Sequence, residues 1–221
     1  MIIHTSSESA EILKMCYSSD ASLIAYTVNI IGCIVLFFSH PPLAIFFGFV
    51  GSMQLFDYIF WTYHGENRVN YIATKAAMIF NHLQPFVLVL AVCMYDYNGL
   101  SIPSLVTISI YAAAIIPYTI HSWKQISYTV VQPSSDPSLK WEWNVQTGSF
   151  ALYSLFFITL ITLSIFDIRY PINFVVAFVM TLSLLISVFS HRKSPGSMGR
   201  FWCHYGAYTP LLVAFIIETS K

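Results

Sequence analysis

Seven runs of about twenty apolar residues, separated by polar connections, decide what this chain can become. They fall at about 21–39, 42–63, 71–95, 102–123, 148–166, 170–190 and 199–217. Roughly 20 helical residues, at 1.5 Å each, cover the ~30 Å hydrocarbon core of a bilayer. None of the runs alternates polar and apolar residues as a half-buried strand does, and open strands cannot stand in lipid, so helices are the remaining choice. Only 9% of residues are charged and 57% are hydrophobic, against about 25% charged in soluble domains. The pattern predicts an all-α polytopic membrane protein: one seven-transmembrane-helix bundle over 21–221, preceded by a polar tail at 1–20.

The connections are short. His40-Pro41-Pro42 makes a tight first turn, and the 98–103 and 167–171 turns are also brief. The one long connection, about 124–147, carries Trp141-Glu142-Trp143. It reads as a surface loop whose tryptophans rest at the membrane interface. The tail lacks the basic and apolar regions of a signal peptide, so the first apolar run is expected to direct insertion. With seven spans, Lys14, Arg68, Lys75, Lys124, Lys140, Arg192, Lys193 and Arg200 share one side, against Arg169 and Lys221 on the other. Cytoplasmic loops carry the excess of Lys and Arg, which places the N-terminus in the cytoplasm and the C-terminus outside. Formal net charge is zero, so nothing points to nucleic acid. The expected partners are membrane lipids and a small solute or ion, in a host or organelle membrane that the sequence does not name.

Asp57 is the one carboxylate well inside an apolar run. An ionised acid at the bilayer centre costs roughly 2.5–3.5 kcal/mol on the gentlest scale, so such residues face the bundle interior and mark function. Gln54, Asp57, Trp61 and His64 fall within one quadrant of a helix at 100° per residue. On the third span Asn81, Gln84 and Pro85 share a face, with His82 turned away; on the seventh, Cys203, His204 and Tyr208 follow Arg200. If spans two, three and seven meet, Gln54, Asp57, Trp61, Asn81, His82, Gln84, Cys203, His204 and Tyr208 converge on a polar pocket in the cytoplasmic half. Asp57 would be the anionic anchor, His204 or His82 a proton partner, and the amides neutral donors. The structural reading of the same residues is interhelical hydrogen bonding, with Asp57 paired to Arg200 or a histidine. Ala44, Gly48 and Ser52, four residues apart, suit close helix packing. His40, His121 and His191 lie at span ends, where a solvated imidazole is the plain reading.

Catalytic motifs are absent. The four cysteines are scattered without a CxxC pair, and the histidines show neither HExxH nor His-x3-His spacing, so no metal or cofactor is expected. Seven-span metal hydrolases of the alkaline-ceramidase type commonly place two histidines on the last span, and this one carries a single His204. Lys221 lies too late for a retinal linkage, and no Ser elbow, phosphate loop or dinucleotide glycine pattern occurs.

Four patches carry a resemblance: Met15-Cys16-Tyr17-Ser18, Met53-Gln54-Leu55-x-Asp57-Tyr58-x-x-Trp61, Gln84-Pro85-Phe86-Val87, and Gly196-Ser197-Met198 with Trp202-Cys203. Together they resemble a family of small, uncharacterised multi-pass proteins of giant DNA viruses and of algae and other protists. The resemblance implies a viral or protist source and no activity. It sets Cys16, Gln54, Asp57, Gln84 and Cys203 in one pattern and makes residues 1–14 an extension. Members commonly have Glu where this chain has Asp57, and Asn where it has Tyr208. Three functions follow as expectations: binding or transport of a small solute, ion, proton or lipid headgroup; a non-catalytic component of a viral or organellar membrane; and a membrane-embedded hydrolase. A water-sized cavity reaching Asp57 would favour the first. A closed hydrogen-bond cluster would favour the second.

Overall fold

The computed structural model describes residues 18–95, 99–132, 138–170, 172–191 and 198–219. Among them are seven α-helices: α1 (Ser19–Phe37), α2 (Pro41–Thr62), α3 (Arg68–Tyr95), α4 (Ile102–Gln125), α5 (Ser149–Asp167), α6 (Ile172–His191) and α7 (Met198–Thr219). The helix starts are written locally. Ser18 accepts from the Ala21 N–H at 3.1 Å and caps α1, satisfying a donor that has no partner within the helix. Pro41 and Pro42 open α2, where a fixed φ suits the first turn and no N–H is needed. Ser101 caps α4, and Gly148 enters α5 at φ 86°, a left-handed conformation that costs glycine little. Lying outside the described residues are 1–17, with Cys16, and 192–197, with two residues of the fourth patch.

Helices α1 to α5 are long and apolar enough to cross a membrane, while α6 and α7 carry shorter apolar stretches, Ile172–Ile186 and Trp202–Ile217. Large apolar side chains point outward all round: Leu90, Phe174, Phe178 and Phe215 are each more than 60% exposed. Water does not tolerate such a surface over a whole molecule; lipid does. The fold is that of an all-helical bundle compatible with an integral membrane protein.

Helix α2 packs on α1, α3 and α7; α7 also packs on α1 and α6; and α5 packs on α4, α6 and α3. The second helix thus packs against both the third and the seventh, and the third reaches the seventh through side chains, Gln84 to Trp202. The closest approaches are set by glycine. A Cβ on Gly32 would lie 2.7 Å from the Leu211 backbone nitrogen, and one on Gly206 2.9 Å from Val50. Asn29, fully buried on α1, donates to the Phe47 carbonyl of α2 at 3.1 Å and the Ala207 carbonyl of α7 at 3.2 Å, a polar clasp across three helices.

Between α4 and α5 the chain forms a short antiparallel hairpin, β1 (Val130–Gln132) with β2 (Ser138–Lys140), in the register Val130 to Lys140. A single 3-10 turn, Glu142–Asn144, then leads into α5. This connection contacts α2 and α5 and does not lie flat on the surface.

Candidate functional site

Gln54 and Asp57 stand one turn apart on α2, and both are wholly buried. Trp61, a turn further, is half-buried. The stripe ends there, because α2 stops at Thr62. His64 is exposed, with Nδ1 3.3 Å from the Trp61 carbonyl oxygen, so it does not join the group expected of it.

The donor facing Asp57 comes from the long connection. The Trp141 indole N–H donates to Asp57 Oδ1 at 3.0 Å. Trp141 is 1% and Trp143 0% exposed, and their rings stack with centroids 5.2 Å apart. This corrects the expectation of interfacial tryptophans. Two large rings carry enough apolar area to favour insertion into the bundle, and a buried carboxylate offers the partner that an inserted indole N–H requires.

The connection is pinned by α3 and α4. Asn70 Nδ2 donates to the carbonyls of Tyr63 and Thr129, both at 3.0 Å, while its Oδ1 accepts from the Thr129 N–H at 2.9 Å and from Thr74 Oγ1 at 3.0 Å. The Thr74 and Thr129 hydroxyls meet at 3.0 Å, and all three side chains are fully buried. Lys75, only 5% exposed, donates to the carbonyls of Trp123 and Ile126 at the end of α4, where a helix presents unpaired acceptors and negative potential. Its ammonium also lies 5.0 Å from the Trp123 ring centroid. The Tyr118 hydroxyl donates to the Trp143 carbonyl, and Ser122 Oγ donates to Gln146 Oε1 at 2.6 Å.

A second polar cluster joins α3, α5 and α7. The Trp202 indole N–H donates to Gln84 Oε1 at 2.7 Å. An indole nitrogen only donates, so this bond fixes the amide and turns Gln84 Nε2 toward Cys203 Sγ, 3.8 Å away. Tyr153 likewise donates to Asn81 Oδ1, and Asn81 Nδ2 lies 3.7 Å from the same sulfur. Two buried amides thus converge on one buried thiol. His82 turns the other way. Its Nδ1 is 2.7 Å from Thr119 Oγ1, whose own proton goes to the Ile115 carbonyl at 2.7 Å. His82 is therefore the Nδ1–H donor, and Nε2 carries a lone pair. Pro85 removes an N–H from this part of α3, and the Tyr111 hydroxyl donates to the neighbouring His82 carbonyl at 2.9 Å. His204, 3% exposed, packs edge-on against Tyr208 at 5.3 Å between centroids. The Arg200 side chain lies outside the described residues.

Of the nine expected residues, Asp57 thus lies under Trp141, Asn81 and Gln84 converge on Cys203, His82 turns toward α4, and His204 packs with Tyr208. Gln54 and Asn144 differ from the rest. Each is buried, and neither the nitrogen nor the oxygen of its amide has a hydrogen-bond partner among the described residues; His82 Nε2 and the Trp61 indole nitrogen share that condition. Each such group costs about 1–3 kcal/mol. No group of three His, Cys, Asp or Glu side chains placed to hold a metal ion occurs among the described residues. Cavities of about 260 and 300 Å³ lie at the opposite end of the bundle, around His40, Asp167 and Ile172.

Sequence reasoning missed Asn70, Thr74, Thr129, Trp141, Tyr153 and Trp202. One sign was available: Asn70, Thr74, Asn81 and Gln84 fall within about 80° on α3 at 100° per residue, a polar stripe that an apolar helix keeps only when neighbours satisfy it. Comparison with protein-family models, curated proteins and solved structures finds no match.

Proposed function

We propose that this is an integral membrane protein of seven spans, with its N-terminus in the cytoplasm, that binds a small cationic or proton-bearing polar solute at Asp57. The Trp141–Asn144 segment serves as the lid over that site. The supporting observation is a contrast within the molecule. Asn70, Thr74 and Thr129 are tied into one hydrogen-bonded anchor, whereas the buried amides of Gln54 and Asn144 have no partner. Residues that merely fasten helices resemble the first group. The second resembles a binding set in its lidded state: Gln54 stands one turn from Asp57 on α2 and Asn144 belongs to the segment that brings Trp141 onto Asp57, so that the carboxylate and the amide oxygens accept from a cationic group and the NH2 groups donate to an acceptor on the solute.

A second reading, a structural membrane component, draws support from the complete burial of Asp57 beneath Trp141. A viral or protist membrane is the setting that the family resemblance would give to either reading, and it adds no activity.

Melting of the purified protein in detergent separates the two. Ammonium, methylammonium, guanidinium, sodium and potassium chlorides at one ionic strength serve as probes, with chloride constant. Solute binding predicts that at least one cation raises the melting temperature of the parent and leaves Asp57→Asn unmoved. Equal curves for all cations, together with a Gln54→Leu variant more stable than the parent, would establish the structural reading instead.

A further inference from the structure

The opposite end of the bundle carries a polar site on which the Asp57 reading does not draw. Three reverse turns meet there. His40 comes from the α1–α2 turn, Ser101 from the start of α4, and Asp167 and Arg169 from the α5–α6 turn. His40, Asp167 and Arg169 line one cavity of about 260 Å³, closed on its inner side by Leu88, Ala91 and Val92 of α3. His40 and Ile172 are shared with a second cavity of about 300 Å³, whose remaining walls include Val175, Val213, Ile216 and Ile217 of α6 and α7. A charged chamber and an apolar groove between two helices thus adjoin at His40 and Ile172.

Asp167 is divided between two tasks. Its Oδ1 accepts the Ser101 N–H at 2.8 Å and so fixes the entry to α4. Its Oδ2 is buried and has no hydrogen-bond partner among the described residues. A carboxylate oxygen in that position requires a donor. Arg169, two residues on, brings a positive charge to the same chamber. Tyr170 at the rim is 78% exposed, as an aromatic at a membrane–water boundary is.

We infer that this chamber holds the headgroup of a phospholipid bearing a primary ammonium, an ethanolamine-type lipid, with an acyl chain in the α6–α7 groove. The phosphate faces the Arg169 guanidinium, which offers planar paired donors. The ammonium donates to Asp167 Oδ2. A choline headgroup carries methyls where those N–H donors must be, so it leaves Oδ2 unmet. The groove assigns the source to a lipid, since a soluble phosphoethanolamine has nothing to place along Val213, Ile216 and Ile217.

Native mass spectrometry of the full chain in detergent tests this, with dioleoyl phosphatidylethanolamine, phosphatidylcholine and phosphatidylglycerol offered at equal concentration. The parent is expected to retain the ethanolamine lipid about tenfold over the choline lipid, the size of one charge-assisted hydrogen bond. Asp167→Asn keeps the bond to the Ser101 N–H and is expected to fold, yet to lose that preference. Arg169→Gln is expected to weaken all three lipids together, and Asp57→Asn to change none of them. Equal retention of the three lipids by the parent, or a preference that survives Asp167→Asn, would overturn the assignment. Soluble phosphoethanolamine binding as tightly as the lipid would overturn the lipid source.

Discussion

Trp141 reaches back across 84 residues of sequence to donate its indole proton to Asp57 at 3.0 Å, in the buried last turns of α2. The pair joins a loop to a helix interior. It also explains how a wholly buried carboxylate is tolerated in an apolar helix, because a fixed donor replaces part of the water it has lost.

Trp141→Phe removes that donor while keeping most of the ring. The expected loss is about 1–3 kcal/mol, the cost of leaving one buried acceptor unmet. Asp57→Asn alone should cost less, since an amide oxygen still accepts from Trp141. In the double variant the two effects should fall short of their sum by 0.5 kcal/mol or more, as contacting residues do. Chemical unfolding of the four proteins in detergent, followed by near-ultraviolet circular dichroism, measures this. Strict additivity would mean that the bond contributes nothing.

A prediction about packing follows from two glycines on one helix. A Cβ on Gly51 would lie 2.1 Å from Asn29 Oδ1, whereas one on Gly48 would meet only Cys33 Sγ, at 3.8 Å. Gly51→Ala displaces the side chain that bridges Phe47 and Ala207, and should destabilise by about 2–4 kcal/mol from overpacking and two lost hydrogen bonds. Gly48→Ala should change stability by less than about 1 kcal/mol, with helix propensity in its favour. Melting temperatures of the two variants give the comparison directly.

The helix limits were legible because they depend on local features: the Pro41-Pro42 start, the Ser101 cap, and the length of each apolar run. The expected 42–63 and 102–123 became Pro41–Thr62 and Ile102–Gln125. The pairings were not. Of the stripe Ala44, Gly48 and Ser52, Ala44 is buried, yet among the glycines the tight contacts fall at Gly32, Gly51 and Gly206 and not at Gly48, because close approach depends on how helices are rotated about their axes. The tryptophans misled for a related reason. A Trp-Glu-Trp at a span end has the same local composition whether its rings lie in the interface or turn inward, and what decides is Asp57, far away in sequence. Asp57, Gln84 and Cys203 stand out in the sequence because polar atoms in an apolar run are costly wherever they point; nothing there pairs them with Trp141 and Trp202, or marks Tyr153, because an aromatic residue in apolar surroundings shows no need of a partner.

Asn70 should control the lid. It makes four hydrogen bonds, three of them to the Thr129 backbone and to Tyr63. Asn70→Ala leaves the Thr129 carbonyl unmet in a buried place and the Thr129 N–H with Thr74 Oγ1 alone, at 2.9 Å, and should free the Trp141–Asn144 segment. Hydrogen exchange of the Trp141–Asn144 amides should rise about tenfold or more while that of α5 stays unchanged. Acrylamide should also reach the tryptophans more readily. Unaltered exchange would show that Trp141 and Trp143 hold the loop without the anchor.

The orientation is open to a direct test because the two ends differ in charge as well as structure. Tyr63, Asn70 and Thr129 are bonded together at one end, and His40, Ala91 and Asp167 line one cavity at the other. The connections after α1, α3 and α5 thus lie at one end, and those after α2 and α4 at the other. Arg68, Lys124 and Lys140 accompany the first end, and Arg169 the second. On the orientation proposed above, the first end, with the excess of Lys and Arg, is the cytoplasmic one. Single cysteines should be introduced at Lys124, on the exposed end of α4, and at Tyr170, which is 78% exposed, in a chain whose own cysteines are replaced by serine or alanine. In intact cells a membrane-impermeant maleimide should label the Tyr170→Cys variant only. After permeabilisation it should label both. Labelling of Lys124→Cys in intact cells would reverse the orientation and place the Trp141 lid, and with it access to Asp57, on the outer face.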